Sequence, residues 1–458
     1  GVKGLASAVT IGTGGSAGRE GPIVQIGSSL GSTVARLFHL PPYMTKVLVA
    51  CGASGGIAAT FNTPIAGVLF SIELILLELK TRSFIPLVIA SVSATAVSRI
   101  FLGRHPAFIV PEYGYQHTAE LLFYLLLGVL SGLVAVTIIV VLYKTEDLFA
   151  RPLIPPYLRP VLGGLVLGTI AFFFPQILGV GYETVSAVLQ ENYSGPMLLG
   201  LMGLKILGLS FTLGSGGSGG VFAPSLFVGA TLGGSFGALV HYLFPAYTAT
   251  YGAYALVGMA AVFAGASRAT LTAIIILFEM TQDYRIILPL MFACVVSDLV
   301  AWTLAPDSIY TRKLTRRGIR VVQDMEVDVL ARVHVGEVMD REVETVAETA
   351  LVREAYDKTL ASGRKALPVV NKHRELTGLI THLDLSRAFK SNEMDRPVSE
   401  FAARELVTAY PEQTLYEVID KFSQVRQLPV VDRRNHKHLL GMLTRADFLK
   451  LHRRDRTS

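Results

Sequence analysis

Leu121–Leu142 is a run of 22 residues without one charge. An α-helix needs about 20 predominantly apolar residues to cross a bilayer. In lipid, only a helix or a closed barrel satisfies its own backbone. Ile286–Leu304 is a second long run, interrupted only by Asp298. Phe84–Val97, Val161–Phe174, Met197–Leu213, Tyr254–Ala266 and Thr270–Phe278 are shorter or broken. Many contain Gly, and Pro64, Pro86, Pro196 and Pro289 stand at their borders. At membrane depth, Gly and Pro are tolerated where the freed backbone groups find partners in protein or face a water-lined cavity. Helices of unequal length are therefore expected, some of them not crossing fully.

Charge divides the chain. Residues 1–305 carry 14 Lys+Arg and 12 Asp+Glu, whereas residues 306–458 carry 27 and 23. The first part reads as a membrane domain and the second as a soluble one. An apolar content of 51% excludes a disordered chain. Only Cys51 and Cys294 are present, which excludes a disulfide-built secreted fold. A net charge of +6 gives no argument for nucleic acid as a partner. After the last apolar run come Arg312, Lys313, Arg316, Arg317 and Arg320. By the positive-inside rule this cluster places the junction and all that follows in the cytoplasm, behind a multi-pass domain of the cell membrane. Gly1 is not Met, and GVKGLASAVTIGTGG reads as the interior of a Gly-rich apolar segment, so an N-terminal portion is expected to precede it.

The membrane part repeats itself. Ser16, Gly18, Pro22, Gly27 and Gly31 match Ser218, Gly220, Pro224, Gly229 and Gly233 at a constant offset of 202. Gly52 with Gly258, and Glu73 with Glu279, match at 206. Two blocks at nearly one offset indicate duplication, and duplicated halves in a membrane protein suggest inverted repeats with a midplane site built from broken helices. Each block has a Gly-rich lead and then a Pro in the first turn of an apolar segment, the pattern of a helix start. A helix N-terminus carries unsatisfied N–H groups and about half a positive charge, so two converging ends would hold a small anion without a cationic side chain. Glu20 stands at such a start. A carboxylate there either complements the helix dipole or occupies the anion's place until protonated or outcompeted; the repeat favours the second. The intramembrane Lys205, Arg268, Glu279 and Asp298 are candidates by default. Structural roles are the expectation for them, with Glu73 and Glu279 satisfying polar groups in their own halves.

Gly18-Arg19-Glu20-Gly21-Pro22 and Gly220-Val221-Phe222-Ala223-Pro224 resemble two signature motifs of the CLC chloride channel and transporter family. FNTPIAGVLFSIEL (Phe61–Leu74) is similar to that family's next helix, and Ser308-Ile309-Tyr310 to the segment bearing its pore tyrosine. The resemblance implies a homodimer with a separate anion pathway in each subunit. It implies that Glu20 is the gate, that backbone N–H groups around Arg19, Glu20 and Gly21 line an outer anion site, and that those of Val221 and Phe222, with the Tyr310 hydroxyl, hold a central anion. On position alone Tyr310 reads as an interfacial aromatic anchoring the last helix. The family's serine-bearing Gly-Ser-Gly motif is absent and would lie before Gly1. Proton-coupled members carry a second glutamate at the position of Leu74, which cannot relay a proton, although some exchangers also lack that glutamate. That favours a passive chloride channel over a chloride/proton antiporter.

Leu367–Phe389 and Leu428–Leu451 form another repeat: Pro368 and Pro429 are 61 apart, while Gly378/Gly441, Thr381/Thr444 and Asp384/Asp447 are 63 apart. Each reads as a strand, a polar turn, a second strand and a helix opened by Thr-x-x-Asp, a capping-box pattern. The repeat resembles a tandem pair of CBS domains. The resemblance implies that Thr381, Asp384, Thr444 and Asp447 hold the ribose of an adenine nucleotide (ATP, ADP or AMP), with backbone near Leu367 and Leu428 framing the base. Arg433, Arg434 and Lys437 could meet phosphate, although a solvated turn is the simpler reading.

The expectation is an all-α polytopic membrane domain with inverted repeats and broken helices over 1–320, a linker over 321–335, and an α+β CBS pair over 336–392 and 393–458. Its substrate would be chloride or a related anion, with protons as a second possible ion. No Zn-ligand spacing, Walker loop or nucleophile elbow is present, so neither a metal site nor an enzyme is expected. A membrane-anchored nucleotide sensor without transport, and a cation transporter, are the rivals from other classes. The first leaves the paired helix starts unexplained, and the second would want acids clustered in the pore.

Overall fold

The computed structural model describes residues 2–78, 80–103, 117–151, 155–318, 333–423, 425–444 and 447. Arg320, most of the expected linker, and the chain from 448 onward lie outside them. The chain divides into two units, Gly1–Val321 and Val322–Ser458.

The first unit is helical: α1 Val2–Gly12, α2 Glu20–Leu37, α3 Pro42–Phe61, α4 Pro64–Ser71, α5 Thr81–Leu102, α6 Leu121–Phe149, α7 Arg159–Phe173, α8 Tyr182–Leu189, α9 Gly195–Gly214, α10 Phe222–Leu243, α11 Tyr251–Ser267, α12 Thr270–Thr281, α13 Ile287–Leu304 and α14 Thr311–Arg316. Lengths range from 29 residues in α6 to 8 in α4. Among the described residues six helices are long and apolar enough to span a bilayer. Pro64 opens α4 and Pro196 stands in the first turn of α9, as expected, whereas Pro86 lies inside α5. Helix α11 is buried over Gly252–Ser267, as a helix apolar all round must be. The outward faces of α5, α7 and α13 instead expose Phe101, Phe172 and Trp302, the surface expected against lipid. This is a multi-pass membrane fold.

The repeat is visible in the packing. Helices α2 with α3, and α10 with α11, form the two most extensive pairings. In each, two glycines let the backbones touch: a Cβ on Gly27 would collide with the Gly52 carbonyl, and one on Gly229 with that of Gly258. These four are the repeat mates. The two halves are stitched where their Gly-rich leads cross. Gly18 N–H donates to Gly220 O at 2.8 Å, and Gly220 N–H donates back to Gly18 O at 2.7 Å.

The second unit holds two small sheets. In the first, β1 Val346–Ala347 runs parallel to β2 Ala366–Val370, which is antiparallel to β3 Leu376–Thr381. In the second, β4 Gln427–Val431 is antiparallel to β5 Leu439–Thr444. Both hairpins shift register at the same place, between Val369 and Val370 and between Val430 and Val431. The repeats exchange edges. Asp340 pairs with Met442, and Leu379 with Ala403; His334 pairs with Thr414, and Leu351 with Pro397. Both sets are related by the offset of 63. The segment before each repeat thus completes the other repeat, and the two fold as one body.

Candidate functional site

Three helix starts meet around Glu20. It is the first residue of α2 and is 1% exposed. Tyr182, the first residue of α8, donates its hydroxyl to Glu20 Oε1 at 2.5 Å. The other oxygen, Oε2, is buried and has no hydrogen-bond partner among the described residues. It lies beside Gly18 at the opening of α10: a Cβ on Gly18 would collide with Oε2 and sit 3.3 Å from Ala223 N. The carboxylate therefore fills the crevice between the two repeat-related helix starts, where N–H groups attract negative charge.

A cavity of about 430 Å³ opens beside it. Glu20, Gly21, Val221, Phe222, Tyr310 and Leu74 all line it. Of the expected anion-site residues, five come together there and one, Arg19, does not line it. Arg19 stands at the position before α2 with its side chain exposed, its guanidinium 5.4 Å from the Tyr182 ring centre. Phe222 opens α10, is 1% exposed and packs on Phe61 and Phe263 at ring distances of 5.0 and 4.2 Å. Tyr310 reaches the cavity because its segment is fixed from behind. Ile309 N–H donates to Ala266 O at 2.9 Å, and the Tyr143 hydroxyl to Ile309 O at 2.9 Å.

The intramembrane charges have structural partners. Arg268 donates to Asp298 Oδ1 at 3.0 Å and to the carbonyls of Asp298 and Ala305 at 2.8 and 2.6 Å. Lys205 is fully buried, donates to Ile177 O and Gly179 O at 2.9 Å each, and faces the Phe227 ring at 5.0 Å. It holds the loop that leads into Tyr182.

Glu73 and Glu279 correct one expectation, for neither serves its own half. Glu73 accepts from Leu271 N–H at 3.0 Å and from Thr272 N–H at 2.8 Å, at the start of α12. Glu279 accepts from Ile65 N–H at 3.0 Å and Ala66 N–H at 2.7 Å, at the start of α4. Each glutamate caps the short helix of the opposite repeat, because the inverted halves place the end of one beside the beginning of the other.

Sequence reading missed Tyr182, Lys3, Lys313 and Glu146, the last three also lining the cavity. Tyr182 lies 162 positions from Glu20 and outside the matched repeat blocks, so no local spacing pointed to it. The charged three flank apolar runs, where charge is ordinary.

In the second unit Thr381 and Asp384 form a capping box at the start of the helix His382–Lys390, and Thr444 and Asp447 make the matching contacts. Asp384 Oδ2 accepts from Thr381 N–H at 3.0 Å and Thr381 Oγ1 at 2.5 Å. Asp447 Oδ2 does the same with Thr444 at 2.9 and 2.7 Å. Leu367 and Leu428 are buried in β2 and β4. Arg433, Arg434 and Lys437 are exposed in the β4–β5 turn.

Residues 1–302 match the family model described as voltage gated chloride channel, and residues 335–391 and 398–454 each match the CBS domain. The chain is 32% identical to "Chloride channel protein CLC-f" of Arabidopsis thaliana, covering 96% of this chain and 67% of that protein. It is 34% identical to "H(+)/Cl(-) exchange transporter ClcA" of Yersinia pestis bv. Antiqua, over 69% of this chain and 67% of that one. Among solved structures, a slow cyanobacterial Cl-/H+ antiporter superposes with a TM-score of 0.61 at 31% identity, covering 68% of this chain and 73% of that one.

Proposed function

This chain belongs to the voltage-gated chloride channel (CLC) family, with two CBS domains behind its anion-transporting membrane unit, and we propose that it exchanges chloride for protons. The observation that carries this reading is the meeting of Glu20, Phe222 and Tyr310 on one cavity at two repeat-related helix starts. Relatives named as proton/chloride exchangers support coupling over the passive channel that Leu74 favours.

The chemistry follows from the helix starts. The ionised Glu20 carboxylate and a chloride ion are both held by N–H groups, so they compete for one place. Protonation removes the charge and with it the attraction of the helix ends. The neutral side chain leaves, chloride takes its position, and the proton travels with Glu20. Binding by backbone amides is strong enough to admit a halide and weak enough to release it.

The reading extends to a homodimer with one pathway per subunit and to CBS domains in the cytoplasm, behind Arg312, Lys313, Arg316 and Arg317. There an adenine nucleotide bound by Thr381, Asp384, Thr444 and Asp447 regulates transport. No covalent reaction is catalysed.

The deciding experiment reconstitutes the chain in liposomes and imposes a chloride gradient. Uphill proton movement is expected. Chloride flux with no proton movement would favour the channel, which the apolar Leu74 supports.

A further inference from the structure

Exchange needs a proton route between Glu20 and the cytoplasm, and the side chain of Leu74 cannot carry a proton. The repeat-related acids do not fill the gap, since Glu73 and Glu279 have their oxygens committed to helix starts and neither lines the cavity. Among the described residues lining the cavity, the acids are Glu20 and Glu146.

Glu146 sits in the last turn of α6. Its side chain is 40% exposed, so it meets water. Its Oε2 is 3.9 Å from Arg316 Nη1, too far for a hydrogen bond, and Arg316 gives its close contact to Asp147 at 2.5 Å. The other charged groups around it are known. Lys3 and Lys313 line the same cavity, and the guanidiniums of Arg312 and Arg316 cover the Tyr143 ring at 5.6 and 5.0 Å. Arg312, Lys313 and Arg316 belong to the basic cluster that this reading places on the cytoplasmic side, so Glu146 is the cavity-lining acid at that mouth; the neighbouring Asp147, on Arg316, and Asp307, on the Thr315 hydroxyl, do not line the cavity. At about 30 Å³ per molecule, the cavity that both residues line has room for on the order of a dozen waters.

We propose that Glu146 is the cytoplasmic proton-transfer residue of the exchanger. Its carboxylate takes a proton from cytoplasmic water. That O–H bond then breaks as the proton passes along cavity water, and a new O–H bond forms on Glu20, which leaves its place and admits chloride. The hydrophobic wall at Leu74 is bypassed by solvent. This assignment rests on the exchange reading.

The test uses the full chain in liposomes, with the ratio of protons to chloride moved as its readout. Glu146→Gln removes the titratable group at nearly constant shape, and the ratio is expected to fall about 100-fold, the lower range for loss of a positioned acid–base group. Glu146→His restores a titratable group without the carboxylate and is expected to keep uphill proton movement. Should the Gln protein not assemble, Glu146→Ser serves as the non-titratable arm. Wild-type protein that moves chloride but no protons overturns the exchange reading and this assignment with it. Wild-type coupling with an unchanged ratio in the Gln variant leaves exchange standing and overturns Glu146. Equal loss in the Gln and His variants would make the carboxylate a structural group and also overturn it.

Discussion

Tyr182 and Glu20, the first residues of two different helices, are joined by a 2.5 Å hydrogen bond from the tyrosine hydroxyl to Oε1. The bond holds the carboxylate in the crevice between the two helix starts, the place for which chloride competes in the proposed exchange. A hydrogen bond to a charged group contributes about 1.5–3 kcal/mol, or roughly ten- to a hundredfold in the balance between docked and released side chain. Tyr182→Phe is therefore expected to free Glu20 more readily. Chloride flux at neutral pH should rise about tenfold, and its pH profile should extend further toward the alkaline side. Anion flux against pH in liposomes checks this, and a profile identical to wild type would refute the latch.

Glu20 itself predicts a sharper result. Glu20→Gln imitates the protonated acid and cannot be drawn back by the helix ends. Flux should become independent of pH, proton movement should stop, and chloride movement should continue. Glu20→Ala should lose pH dependence in the same way. A retained pH profile in either variant would place the gate elsewhere.

Much of this was legible in the sequence, and the reason is symmetry. Offsets of 202 and 206 identify Gly18 with Gly220 and Glu73 with Glu279 as equivalent positions. Equivalence does not say which partner each residue meets. That depends on the operation relating the halves, and here it crosses them: Gly18 bonds its own mate, while each glutamate caps the other half's helix. The same gap hid the exchanged edges at Asp340/Met442 and Ala403/Leu379, although Thr381 and Asp384, being local, were readable as a cap. Tyr182 and Glu146 carried no repeat and no motif; only the folded chain brings the Tyr182 hydroxyl to Glu20 and puts Glu146 on the same cavity.

The crossed caps give a stability prediction. Removing Glu73 leaves Leu271 and Thr272 N–H without their acceptor, and removing Glu279 does the same to Ile65 and Ala66. Loss of a cap costs about 0.5–2 kcal/mol, and a buried unsatisfied donor about 1–3 kcal/mol. Glu279→Ala and Glu73→Ala should each lower the thermal midpoint in detergent, with Glu279→Gln milder because its amide oxygen still accepts. The two sites are distinct, so the double variant should lose close to the sum. A midpoint unmoved by both single changes would mean that the caps contribute nothing.

In the second unit, Asp384→Ala removes the acceptor of the Thr381 cap and should cost about 1 kcal/mol of that unit's stability with no nucleotide present. Added ATP should raise the thermal midpoint of the wild-type chain by mass action. The rise should be lost in the Asp384→Ala, Asp447→Ala double variant. An undiminished rise in that variant would confine both aspartates to capping.

Lys205 ties the loop before Tyr182 to α9. Its ammonium bonds the carbonyls of Ile177 and Gly179, two residues before the glycine that precedes Tyr182, with the Phe227 ring on its flank. Lys205→Met keeps the apolar stem but leaves the buried Ile177 carbonyl and the part-buried Gly179 carbonyl without this donor, at about 1–3 kcal/mol for the buried one. The loop should relax and Tyr182 should lose its aim. The variant is therefore expected to show the raised neutral-pH flux of Tyr182→Phe together with a lowered thermal midpoint. Because both changes act on one latch, the double variant should gain no further flux over Tyr182→Phe alone. Additive flux increases in that double-mutant cycle would separate Lys205 from the gate and leave it a purely structural cation.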